Sequence, residues 1–452
     1  MTVRTIDRGR VAALMVREEE RYSQTHQGSR ELYARGRRSL LNGVPMNWME
    51  KWPGPFPLFM SHATGARLWD VDGNEYLDFC LGDTGAMAGH APAATAEAVT
   101  AQMRQGATAI LPTADAVWVG EELTQRFGLP IWQIAMSATD ANRFALRLAR
   151  EVTGRPKVLV FNWCYHGTVE ETLAVLVNGQ VVRRPGVIGP VQNPAETTRV
   201  VEFNDVNALQ DALSHRDVAC VLTEPALTNI GIIPPEPGFH ARLRDLTRSS
   251  GSLLVIDETH TLCAGPGGMT KAARLTPDLL VVGKSIGGGV PVAVFGMTNA
   301  VANSVAEAVK EPGLNISGIG GTLSGNALAV AAIRATLESR LTEADFAQMI
   351  PLARRWALGV QAAIDNAGLD WSVSQLGARA EYWLCPRPKT AAEAAAAADD
   401  EVESLLHLYA LNRGILLTPF HNMALMCPAT TAEDVDRHSE VFAEAVNELS
   451  RP

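Results

Sequence analysis

Two short apolar runs, SLLVID at 252–257 and DLLVVGK at 278–284, each end on a charged group and lie between Gly, Ser and Pro. Such runs suit strands covered on both faces, as in a parallel sheet under helices. KVLVF, ACVLTE and PVAVFG read the same way. Helical patterns lie between them, such as FHARLRDLTRSS stopped by Gly251. From about 93 to 330 the alternation of helix and strand predicts a mostly parallel α/β sheet. ANRFALRLAREVTG, directly after SAT at 137–139, is the amphipathic helix of this region.

The chain ends have a different pattern. Residues 1 to about 45 read as helical, and NGVPMNWMEKWPGPFP then breaks the pattern with four prolines and two tryptophans. Asp72-Gly73 between RLWDV and EYLDF predicts a hairpin, and antiparallel strands suit a smaller domain. Beyond 335 helical patterns return. One is read from a Thr390/Glu393 cap to a stop at Gly414, and a last one from a Thr430/Glu433 cap through Leu449. The expected division is an arm and part of a small domain at 1–75, a large domain at 76–333, and the rest of the small domain at 334–452.

Composition narrows the class. With 452 residues, 47% apolar and 19% charged, the chain suits a globular enzyme of two domains. A net charge of -10 without Lys/Arg blocks argues against nucleic acid or an anionic membrane as the main partner. No run approaches the roughly 20 apolar residues of a membrane span. VAALMV near the N-terminus is too short for a secretion signal, so a cytoplasmic location is expected. The six cysteines include no CxxC pair, which indicates neither a zinc site nor a disulfide framework, and no metal site is expected.

The two strand-end charges are the candidate chemistry. Asp257 and Lys284 would sit at carboxyl ends of strands, where open α/β sheets place ligands. A carboxylate and an amine facing one cleft can bind a metal, pair structurally, or serve a cofactor that needs an anion at one end and an amine at the other. Pyridoxal 5′-phosphate (PLP) is such a cofactor: an amine forms a Schiff base with its aldehyde and a carboxylate pairs with its ring nitrogen. The GKS at 283–285 is no P-loop, because that motif needs Gly where Asp278 stands.

Eight separated motifs extend this reading: WDVDGNEYLDF at 69, GH at 89, SATDANRFALRLAR at 137, YHG at 165, EPALTNIGIIPPEPGF at 224, LLVIDE at 253, VVGKSIGGGVP at 281 and GGTLSGNALA at 320. In this order they resemble the class III aminotransferases of the fold-type I PLP enzymes, in the branch of glutamate-1-semialdehyde aminomutase and the amine and β-amino-acid transaminases. The resemblance covers about residues 55–450. It implies a mostly parallel sheet flanked by helices in a large domain, with a small α+β domain built from both chain ends.

It also implies roles. Lys284 would hold PLP as an aldimine and later move a proton, and Asp257 would keep the pyridinium protonated. Ser137, Ala138 and Thr139 would hold the phosphate at a helix N-terminus, with Ala138 and Asp140 departing from the family's Ser-Gly-Thr-Glu. Tyr165 would stack on the ring, with His166 beside it. Glu224 would stand behind the cofactor, Thr259 would lie against a ring face, and His260 would lie near the phenolic oxygen. Thr322 would reach the phosphate of a neighbouring subunit, which implies a homodimer with shared sites.

Substrate residues are less marked. Trp48, Trp52, Phe56 and Met87 could wall an apolar pocket, with plain packing as the alternative. The arginine of the family's GFGRTG falls on Gly265, leaving Arg379 and Arg413 as carboxylate-clamp candidates, with a surface or structural role as the alternative for each. The expected activity is transamination from an amine or β/ω-amino acid donor to a carbonyl acceptor. The alternatives are an aminomutase, suggested by TLSGN, or a catalytically silent PLP-fold protein.

Overall fold

The computed structural model describes residues 6–189, 193–308, 310 and 317–451. The chain forms two units: Met1–Pro92 with Ala344–Arg387 and Ala397–Pro452, and Ala93–Glu343 with Pro388–Ala396. The first boundary falls after Pro92 because the hairpin strands at 67–78 pair with Ile415–Leu416, which holds this stretch among the C-terminal elements.

The apolar runs of the second unit build a seven-stranded sheet. In chain order its strands are β1 (Ile131–Ala135), β2 (Lys157–Phe161), β3 (Thr198–Val201), β4 (Val218–Thr223), β5 (Leu253–Asp257), β6 (Leu279–Val282) and β7 (Ala293–Met297). Their order across the sheet is β1-β7-β6-β5-β4-β2-β3. Pairs from β3 to β6 are parallel, and β7 runs antiparallel to both its neighbours. β5 and β6 are adjacent, with Asp257 level with Val281.

Helix Ala138–Thr153 packs on this sheet because its apolar positions recur every three to four residues. Ala141, Phe144, Ala145, Leu148 and Ala149 share one core with Val158, Leu222, Val255, Val281 and Phe295. Ser137 caps its N-terminus by accepting the Asp140 N–H. Gly154, at φ +65°, closes its C-terminus by donating to Arg150 O.

In the first unit the Asp72-Gly73 turn joins Arg67–Asp70 to Glu75–Asp78 as an antiparallel hairpin. A second sheet there pairs Ser372–Leu376, Arg379–Trp383 and Met423–Leu425. Two C-terminal expectations shift. The pattern from Thr390 breaks into Ala391–Ala396 and Asp400–Leu411, because the Asp399 carboxylate accepts the Val402 N–H and starts a new helix. The last helix, Ala432–Leu449, is capped by Thr431 with Asp434 in a capping box, one residue beyond Thr430/Glu433. Thr430 instead accepts the Cys427 N–H. Among the described residues no helix is long and apolar enough to cross a membrane.

Candidate active site

Asp257 is the last residue of β5 and is 3% exposed. A carboxylate so deep is stable only with donors around it. Its Oδ2 accepts from Asn142 Nδ2 at 2.9 Å and from His166 Nδ1 at 2.8 Å, and its Oδ1 accepts the Thr259 N–H at 3.0 Å. Burial pushes the Asp257 carboxyl up, but His166, Thr259 and Asn142 outweigh it and hold the pKa at about 2. Burial likewise opposes a charge on His166, and the bond to Asp257 overrides it, raising His166 to about 10. The Nδ1 of His166 carries the proton, since a carboxylate can only accept.

The carboxylate is tied to a helix N-terminus. Asn142 Nδ2 also donates to His166 O at 3.2 Å, so one side chain joins the start of helix Ala138–Thr153 to both Asp257 and the YHG turn. Close approach is secured by glycine at two places. A Cβ on Gly167, at φ +82°, would lie 2.9 Å from Thr139 Cα. One on Gly283 would lie 2.9 Å from Ala138 Cβ and 3.4 Å from Ala138 N. Gly283 thus brings the backbone before Lys284 against the N–H groups that open the helix. The first N–H groups of any helix lack intrahelical acceptors, and its dipole favours an anion there.

Lys284 follows β6 by two residues and is half-buried. Its φ of +53° is a left-handed conformation that costs a non-glycine residue roughly 1–3 kcal/mol and gathers at functional sites. Lys284 Nζ lies 2.9 Å from His260 Nε2. The loop carrying His260 is anchored by buried Glu258, which accepts from Thr261 Oγ1 at 2.5 Å, from Met269 N at 3.1 Å and from Thr270 N. Its backbone N–H donates to Val281 O at 2.8 Å.

The remaining expected residues divide. Tyr165 and His166 lie on the turn after β2, which ends at Phe161 rather than at Tyr165. Glu224 directly follows β4 and is buried. Burial lifts its pKa to about 7 against the nearby charge of His166 and the Thr228 hydroxyl bond. Thr322 is exposed. Asn142 is the link that sequence reasoning missed; its signal was one helical turn of separation from Thr139.

The proposed substrate wall takes another form. Phe56 packs with Tyr22, Leu68, Tyr76 and Leu408 in the core of the first unit, and Trp52 rests against that cluster. Met87 is fully buried. Trp48 packs at a tilt against Phe420, at 5.0 Å between ring centroids, with Lys51 over its ring. Arg413 is not an open clamp: its guanidinium donates to both carboxylate oxygens of buried Glu18 and lies on the Tyr409 ring. Arg379 is fully buried and paired with Glu381. Each guanidinium thus has a carboxylate of the fold as its counter-charge.

The donor set suits PLP. An ionised carboxylate stands ready for a ring nitrogen, and an amine for an aldehyde. A helix N-terminus suits a phosphate, and the buried hydroxyls of Thr259 and Ser285 have no hydrogen-bond partner among the described residues.

Residues 48–355 match the family model for class-III aminotransferases. A glutamate-1-semialdehyde 2,1-aminomutase of Desulfitobacterium hafniense is 35% identical over 94% of this chain and 99% of its own length. A crystal structure of a glutamate-1-semialdehyde-aminomutase from Pseudomonas aeruginosa PAO1, in complex with PMP, superposes with a TM-score of 0.96. That match is 49% identical and covers 98% of this chain and 99% of the other. An omega-transaminase from Sphaerobacter thermophilus matches at a TM-score of 0.86 and 29% identity, over 95% of this chain and 99% of the other.

Proposed function

The chain belongs to the class-III aminotransferases, PLP-dependent enzymes of fold type I, and within that family we propose that it is an aminomutase. It would move an amino group between neighbouring carbons of a small amino aldehyde of the glutamate-1-semialdehyde type. The observation that carries this reading is the near-full-length likeness to the P. aeruginosa aminomutase, at 49% identity against 29% for the omega-transaminase. This likeness supports the aminomutase alternative better than the transaminase expected from the altered pocket motifs.

When bound, PLP supplies an electron sink that lets a substrate C–H bond ionise. The chain's own residues would do the rest. Asp257, kept anionic by His166 and Asn142, would keep the cofactor's ring nitrogen protonated. The N–H groups from Ala138 onward bind the phosphate. Lys284 would hold the cofactor through its amine and would carry a proton at Nζ between the carbons that lose and gain it. Catalysis by a homodimer, with Thr322 completing the partner's phosphate site, is part of the proposal.

The test is to mix the PMP-loaded enzyme with glutamate-1-semialdehyde and no acceptor. Conversion to the positional isomer, an amino ketone, without release of the deaminated dicarbonyl is expected. Release of free ketone from β-phenylalanine or an arylalkyl amine by the PLP-loaded enzyme, with the semialdehyde left unchanged by the PMP-loaded one, would establish a transaminase instead.

A further inference from the structure

We propose that His260 is a positioning residue for Lys284, accepting a hydrogen bond from the amine and so stabilising the ammonium that forms when Lys284 takes a proton from substrate carbon. The carrying observation is the 2.9 Å separation of His260 Nε2 from Lys284 Nζ, with His260 91% buried on a loop anchored through Glu258. Only one proton fits between two nitrogens at this distance. Against an ammonium, which can only donate, the imidazole must present a bare Nε2.

The proton balance is simple. Neutral Lys284 takes the proton from the substrate carbon at Nζ, and the new ammonium directs one of its three N–H bonds to His260. That bond strengthens as the charge appears, so it favours the transition state over the resting amine. The proton later returns from Nζ to carbon, and His260 keeps the protons it began with. The contact joins an imidazole next to the buried strand end and a lysine whose backbone is held in the left-handed region.

The inference rests on family membership and not on the choice between aminomutase and transaminase. The experiment therefore has an arm without substrate. In the cofactor-free full-length chain, carbamylation of Lys284 by cyanate is followed by peptide mass spectrometry for wild type, His260→Gln and His260→Leu. Cyanate reacts with the neutral amine, so loss of the acceptor should speed labelling about tenfold or more in His260→Leu. His260→Gln, whose amide oxygen still accepts, should stay near wild type.

In the loaded enzyme acting on the semialdehyde, His260→Leu should lower kcat about 100-fold with KM unchanged and raise the substrate deuterium isotope effect. His260→Gln should recover most of kcat. Unchanged or slower labelling in His260→Leu, or equal losses in both variants, would overturn the proposal. If His260→Leu does not fold, His260→Ala takes its place. If the semialdehyde is not a substrate, the cyanate arm still decides.

Discussion

Asp257 and His166 form a buried ion pair whose two partners titrate at opposite ends of the pH scale. His166 is raised from 6.5 to about 10, so its contribution to stability is complete below about 6.5 and is lost as pH rises through about 10. Asp257 is lowered from 3.8 to about 2, so its contribution is present above 3.8 and is lost as pH falls through about 2. Glu224, raised from 4.5 to about 7, contributes stability that is lost as pH rises from 4.5 through about 7, and the buried thiols of Cys80 and Cys220 add a loss above 9. The interval from about pH 7.5 to 9 therefore reports mainly on His166. Urea denaturation of the full chain should show stability declining across that interval, and His166→Gln should flatten the decline while lowering overall stability. The same slope in the variant would mean that His166 is neutral in the fold.

Among the elements, the connection between β5 and β6 is the most informative, because it directly follows Asp257 and carries Thr259 and His260 ahead of the short helix Gly268–Ala272. Glu258 holds it, and Gly268 makes room for Glu258: at φ +63°, a Cβ there would stand 2.5 Å from the carboxylate oxygen. Gly268→Ala should cost about 1–3 kcal/mol in urea denaturation and loosen PLP retention. Gly120→Ala, in mid-helix with nothing within 4 Å, should instead gain about 0.5–1 kcal/mol. If both changes are neutral, the loop does not depend on Glu258.

The same loop shows what the sequence can and cannot reveal. Strands β2, β4, β5, β6 and β7 were legible because a strand buried on both faces is written as an unbroken apolar run, and Asp257 and Lys284 stood out as charges at the ends of such runs. The Thr430 cap slipped to Thr431 because either threonine satisfies the local pattern, and the Cys427 N–H claims the first. The partner of Arg413 could not be read from the sequence because Glu18 lies 395 positions away. Asn142 was overlooked because a helical asparagine shows its purpose only when the sheet brings Asp257 beside it.

For the whole molecule, the open question is what covers the surface around Thr322. Ile110 is 79% exposed, Leu111 72% and Leu323 50%. The Ala327 N–H donates to Ala107 O at 3.0 Å, tying the loop that bears Ile110 and Leu111 to the segment that bears Thr322 and Leu323. Fully burying an aliphatic side chain of this size is worth about 1.5–3 kcal/mol, so a second copy seated here would recover a useful part of its association energy. Because Thr322 shares this face, pairing there would also deliver its hydroxyl to a partner's phosphate. Sedimentation should therefore find a dimer, and the double variant Ile110→Glu, Leu111→Glu should shift it to monomer and lose PLP with it. Thr322→Ala should leave the dimer intact but weaken PLP retention about tenfold, as loss of one hydrogen bond to a charged group implies. The two variants separate assembly from phosphate contact. A wild-type monomer saturated with PLP and fully active would sink both expectations, whereas a dimer whose PLP affinity ignores Thr322→Ala would sink only the shared site.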